Sequence, residues 1–108
     1  MKADITELLI IFDELDEFAT NEELGVYWFR FARSDGLTIS LSFSIYEHYV
    51  GTIVYIRDQV TISDVSMKNC SEIRILDESK KCLEIIHNDE KGRCFLHLTG
   101  DSILTYEE

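Results

Sequence analysis

The chain has 108 residues, 45% of them hydrophobic and 11% aromatic, enough for one domain with a single core. Its 21 acids and 10 bases leave a formal charge of −11, which argues against nucleic acid or an anionic membrane as partner, because both need phosphate neutralised by Lys and Arg. No apolar run approaches the ~18 residues of a membrane helix, no basic-then-apolar leader opens the chain, and three cysteines fit reduced thiols better than a disulfide framework, so a cytoplasmic location is expected.

The first element predicted is a helix over about residues 4–19. Asp4-Ile5-Thr6-Glu7 reads as an N-cap followed by an acid three residues on. Ile5, Leu8, Leu9, Phe12, Leu15 and Ala19 then recur at helical spacing on one face. Thr6, Glu7, Asp13, Glu14 and Glu17 occupy the other, with Ile10 among them. Residues 1–24 hold eight acids against Lys2, a charge of −7. In such a helix Asp13, Glu14, Asp16 and Glu17 would crowd the C-terminal half, where the macrodipole favours cations, and would repel one another by roughly 0.2–0.5 kcal/mol per i,i+3 or i,i+4 pair. A cationic partner would relieve that cost. Ile10 reads either as a stray surface residue or as an anchor inside an acidic rim.

A linker over 20–25, carrying Glu22 and Glu23, leads into period-two patterning that continues to residue 107. Val26–Arg33 and Leu37–Tyr46 flank Ser34-Asp35-Gly36, a three-residue hairpin loop. Pairing Arg33 with Leu37 sets Tyr27, Phe29 and Phe31 against Phe43, Leu41 and Ile39 on one apolar face. Trp28 then falls on a hydroxyl-rich face beside Arg30, as a partner-binding aromatic or as a residue covered by other elements. Further strands are expected over Thr52–Asp58 and Val60–Met67. Cys70, Cys82 and Cys94 begin three segments at a spacing of twelve, the pitch of a meander; alternate strands then put Cys82 at the opposite end from the other two, which argues against a three-cysteine metal site. Pairing Asn88 with Arg93 across Asp89-Glu90-Lys91-Gly92 sets Leu83 and Ile85 against Leu98 and Leu96, and Glu84 against His97. A last strand is expected within Ser102–Glu107. The fold expected is a single α+β domain, an amphipathic helix packed on one curved antiparallel sheet of six or seven strands.

Sequence signatures of catalysis are absent: no GxGxxG, Walker loop, HExxH, CxxC or GxSxG. No cofactor or metal is implied. Glu84 with His97 reads either as a structural cross-strand pair or as an orienter and base. His48, within Tyr46-Glu47-His48-Tyr49, lies in an aromatic connection suited to recognition or to an ordinary turn.

Two functions are weighed. The first is a non-enzymatic module that docks on a basic protein, through Glu7, Ile10, Asp13, Glu14, Glu17, Glu22 and Glu23, with Trp28 and Tyr49 as anchors. A nucleic-acid mimic would bind the same kind of partner. The second is a small-ligand-binding or catalytic domain, its pocket between helix and sheet and Glu84, His97 and His48 its polar groups. In size, charge and layout the chain resembles the cognate immunity proteins of bacterial toxin systems. The resemblance rests on no motif and assigns no residue; it implies a basic toxin domain, often a nuclease, as partner.

Overall fold

A computed structural model describes residues 1–57, 60–88 and 93–107. Its strands form two five-stranded sheets. The first runs β1 (Lys2–Ala3), β7 (Cys70–Asp77), β8 (Cys82–His87), β9 (Arg93–His97), β10 (Leu104–Glu107); the second runs β2 (Glu14–Leu15), β3 (Val26–Ala32), β4 (Leu37–Ser44), β5 (Tyr49–Ile56), β6 (Val60–Met67). Every pairing is antiparallel except β1 on β7. The expected single sheet of six or seven strands with a helix on it is therefore wrong: among the described residues the fold is a mostly-β sandwich with one short α-helix. The break falls at Lys68-Asn69. Asn69 adopts a left-handed conformation, φ 53°, which Asn tolerates better than most residues, and Cys70 N–H then donates to the His48 carbonyl at 2.8 Å. Each half of the chain offers one apolar face, and two such faces satisfy each other more fully than a short helix could satisfy either. Ile39, Leu41, Phe43 and Val50 of the second sheet share one core with Ile73, Leu83, Ile85, Cys94 and Leu96 of the first.

The helix α1 spans Ile5–Phe12 alone. Its start is as expected: Asp4 caps it, the carboxylate accepting from Glu7 N–H at 3.1 Å. Its end is not. Asp13 turns left-handed, φ 72°, its N–H closing on the Leu9 carbonyl, and Glu14–Leu15 then pairs with Arg30 and Phe29 as an edge strand. Ending the helix here removes the acids from the negative end of a longer dipole, so most of the expected repulsion never arises. The buried face shifts as well. Leu8, Ile11 and Phe12 are buried while Leu9 is exposed: at 3.6 residues per turn the three share one arc centred near Leu8, and Leu9 lies outside it.

Eight residues are too few for a helix to persist alone. Packing supplies the difference: three buried side chains, at about 1.5–3 kcal/mol each, and a ring contact from Phe12 to Phe29 at 5.7 Å that continues to Phe43 at 6.1 Å. The last turn of α1 contains no base. Lys81, in the β7–β8 turn, fills that role: its Nζ donates to the Ile11 carbonyl at 2.6 Å, stands 4.0 Å from the Asp13 carboxylate and lies over the Phe31 ring at 5.1 Å.

In the β3–β4 hairpin the expected register holds throughout, Tyr27 against Phe43 to Ala32 against Thr38. In β8–β9 it is displaced by two residues: Glu84 opposes Phe95, and His97 opposes Cys82. An even slip preserves which side chains face inward, so hydrophobic alternation cannot distinguish the two registers. The Asp89–Gly92 loop proposed for this hairpin, and the boundary near Asp58-Gln59, lie outside the described residues. Cys82 does lie at the opposite end of the first sheet from Cys70, which pairs with His87.

Replacing Lys81 with Met keeps the aliphatic stem but removes the cation from the helix terminus and the Phe31 ring. A loss of about 1–2 kcal/mol is expected, measured by urea unfolding of both proteins; an unchanged midpoint and slope would refute this role for Lys81.

Candidate functional site

Residues 14–26 run along the outer edge of β3. Glu14 lies in register with Arg30, Asp16 N–H donates to the Trp28 carbonyl at 2.8 Å, and Trp28 N–H donates to Thr20 Oγ1 at 3.0 Å. Asn21 and Val26 then exchange two backbone bonds across a short 3-10 turn, Glu22–Leu24. Between the Asp16 and Thr20 attachments the chain stands away from the sheet as a turn. Asp16 holds it, one carboxylate oxygen accepting from Phe18 and Ala19 N–H at 3.1 and 3.2 Å.

This strip and the helix before it carry much of the acidity. Glu7, Asp13, Glu14, Glu17, Glu22 and Glu23 are all exposed. Among the described residues Asp13 has Lys81 at 4.0 Å, and no Lys, Arg or His lies within 4.0 Å of the other five carboxylates. Arg30, the in-register neighbour of Glu14, is not close enough to pair with it. Exposed apolar residues sit among these acids: Ile10 at 60%, Leu24 at 62%, and Phe18, which is fully exposed.

The site residues named from sequence thus separate into groups. Glu7, Ile10 and Asp13 belong to the helix and its cap. Glu14, Glu17, Glu22, Glu23 and Trp28 follow the β3 edge. Tyr49 stands two strands away, half-buried and opposite Ser44. Trp28 is also half-buried, and it opposes Ser42 on the outer face of the second sheet. On that face Thr38, Ser40, Ser42 and Ser44 point outward by register yet are buried, because larger neighbours on β3 and β5 (Trp28, Arg30, Ile53 and Tyr55) flank them. Gly51 keeps the row closely packed: a Cβ there would come within 2.9 Å of Ser42 Oγ.

Phe18 was missed in the sequence because residues 13–19 read as helix. Asp16, two residues before Phe18, is of a type that opens Asx turns by accepting from backbone N–H groups just ahead of it, a signal that competes with the helical period over these residues.

The polar groups of a ligand-binding or catalytic site do not converge. Glu84, only 5% exposed, is held between Arg74 at 2.8 Å and Arg93 at 3.0 and 3.1 Å on the outer face of the first sheet. His97 Nε2 bonds to Thr105 Oγ1 at 3.0 Å. His48 sits in the β4–β5 turn with φ 59°, beside a surface cleft of about 400 Å³ shared with Met1, Asn69, Cys70 and Asn88. Between helix and sheet, Leu8, Ile11, Phe12 and Phe29 fill the space expected of a pocket. Among the described residues no group of three His, Cys, Asp or Glu side chains is placed to hold a metal, and no helix is long and apolar enough to cross a membrane.

No family model and no curated protein matches the chain. Among solved structures, the fold is similar to that of a chain in a contact-dependent growth inhibition toxin–immunity protein complex from Klebsiella pneumoniae 342. The match covers 96% of this chain and 90% of that one, with a TM-score of 0.73 and 14% sequence identity. At that identity the likeness is one of fold.

The hydrogen bonds from Arg93, and less strongly from Arg74, hold the Glu84 carboxyl below its ordinary value of 4.5. A depressed carboxyl contributes stability that is complete above the unfolded value and is lost as pH falls through the folded one. Stability should therefore decline as pH is lowered past about 4.5. Glu84→Gln is expected to cost about 1–3 kcal/mol at pH 7, less than the full loss of a buried pair because both guanidinium groups are half-exposed and can turn to water. The difference from wild type should shrink in acid. Thermal melts of both proteins from pH 7 to pH 3 test this; a constant difference would contradict it.

Proposed function

We propose that the chain is a non-enzymatic protein-binding module of the immunity type, which neutralises a basic toxin domain by docking on it. The observation that carries this reading is the set of exposed carboxylates along the helix and β3 edge with no cation within 4.0 Å among the described residues: Glu7, Glu14, Glu17, Glu22 and Glu23. An unanswered charge row of this kind steers an oppositely charged partner and raises the encounter rate. Ile10, Leu24 and Trp28 supply apolar and aromatic area among those charges, the composition of an interface centre inside a polar rim. Similarity of fold to a chain from a toxin–immunity protein complex supports the same reading.

Acids at a helix C-terminus do not by themselves call for a partner, because the helix stops before most of them and Lys81 serves its end. The glutamates with no cation nearby among the described residues, Glu7 on the helix and Glu14, Glu17, Glu22 and Glu23 beyond it, are what call for one.

Immobilised chain should retain one basic protein from the native host at low salt and release it at high salt. That protein should arrest growth when expressed alone, and co-expression of this chain should restore growth. Reversing Glu17, Glu22 and Glu23 together to Lys should weaken the complex by roughly 10–100-fold at low salt, chiefly through the association rate, while leaving the melting temperature near wild type. Retention of no basic protein, or equal affinity in the triple variant, would exclude the acidic edge as a docking surface.

A further inference from the structure

Resting on that reading, we propose that Phe18 is the anchor of the docking surface, seated on binding in an apolar pocket bordered by lysines or arginines on the partner protein. A fully exposed phenylalanine is a poor use of apolar area in a domain whose other phenylalanines are buried or half-buried. This one is held in place. The Asp16 carboxylate accepts from Phe18 and Ala19 N–H, Thr20 N–H donates to the Asp16 carbonyl at 3.0 Å, and both ends of the turn are fastened to the backbone of Trp28. The turn is thus set before any partner arrives, and binding need not order it.

The occupant follows from charge. Glu17 adjoins Phe18, Glu14 precedes the turn and Glu22 and Glu23 follow it, all without a cation within 4.0 Å among the described residues. An apolar pocket that receives Phe18 must bring its own rim against these carboxylates, so a basic rim is favoured and an acidic one repelled. A second copy of this chain, at −11, brings mostly the wrong sign. Leu24, one short turn further on, gives the pocket a second apolar contact.

The probe is the salt-released basic protein from the capture experiment, titrated by calorimetry against the full chain and its variants. Phe18→Ala is expected to weaken binding by about 30-fold or more, the scale of a hot-spot residue, with an unchanged melting temperature because the side chain touches no core. Phe18→Leu should recover part of the loss. Leu76→Ala, an exposed apolar residue in β7 on the other sheet, should change neither. Affinity that survives Phe18→Ala while falling in the Glu17, Glu22, Glu23 reversal would overturn the anchor and leave the acidic docking reading intact. A concentration-dependent dimer of this chain that Phe18→Ala abolishes would overturn it in favour of self-association. Recovery of no basic protein would overturn both.

Discussion

Lys81 donating to the Ile11 carbonyl is the contact on which the organisation of this domain turns. It joins the β7–β8 turn of one sheet to the end of the helix that leads into the other. The segment from Lys2 to Leu15 is a strap: β1 adds to the first sheet, α1 seals the core, and β2 adds to the second. Two sheets packed face to face are otherwise held mainly by apolar contact, which has little directional preference, with the Cys70 N–H to His48 carbonyl bond at one end. The strap adds hydrogen bonds to both sheets, and Lys81 closes it with a cation placed at the negative end of a helix dipole.

The acidity of the N-terminal quarter looks different once the strap is understood. Asp4 is a cap, Asp13 a left-handed helix stop beside Lys81, and Asp16 the organiser of a turn. These three aspartates have structural work within the chain. Each glutamate of the region, by contrast, ends in solvent without a cationic neighbour among the described residues. Short aspartate side chains reach their own backbone, whereas the longer glutamates project beyond it. Surface charge available to a partner therefore comes from the glutamates, and the turn that Asp16 builds sets Phe18 among them.

Legibility in the sequence followed the physics of each element. The β3–β4 pairing was readable because a one-residue error would have set Arg30 against Leu41, a large penalty on one face. The β8–β9 pairing was misread by two residues because an even displacement leaves every inward side chain inward. Its actual register places Arg93 where it can reach Glu84, a polar contact that alternation does not encode. The helix was read seven residues too long for a related reason. Leu15 and Ala19 continue the helical spacing, but Leu15 is equally suited to the inward face of an edge strand, opposite Phe29.

By itself, the sequence determined the local and the alternating: the Asp4 cap, the hairpin at Ser34-Asp35-Gly36, the inward residues of β3, β4, β8 and β9, and the excess of carboxylates near the start. These depend on neighbours a few residues apart, where backbone geometry leaves few choices. Only the tertiary structure decided that the strands divide into two sheets at Lys68-Asn69, that a lysine some seventy residues distant serves the helix end, and that Phe18 lies outside the core. Each of those outcomes depends on which distant surfaces bury one another, and apolar faces of similar width carry no label naming their partner.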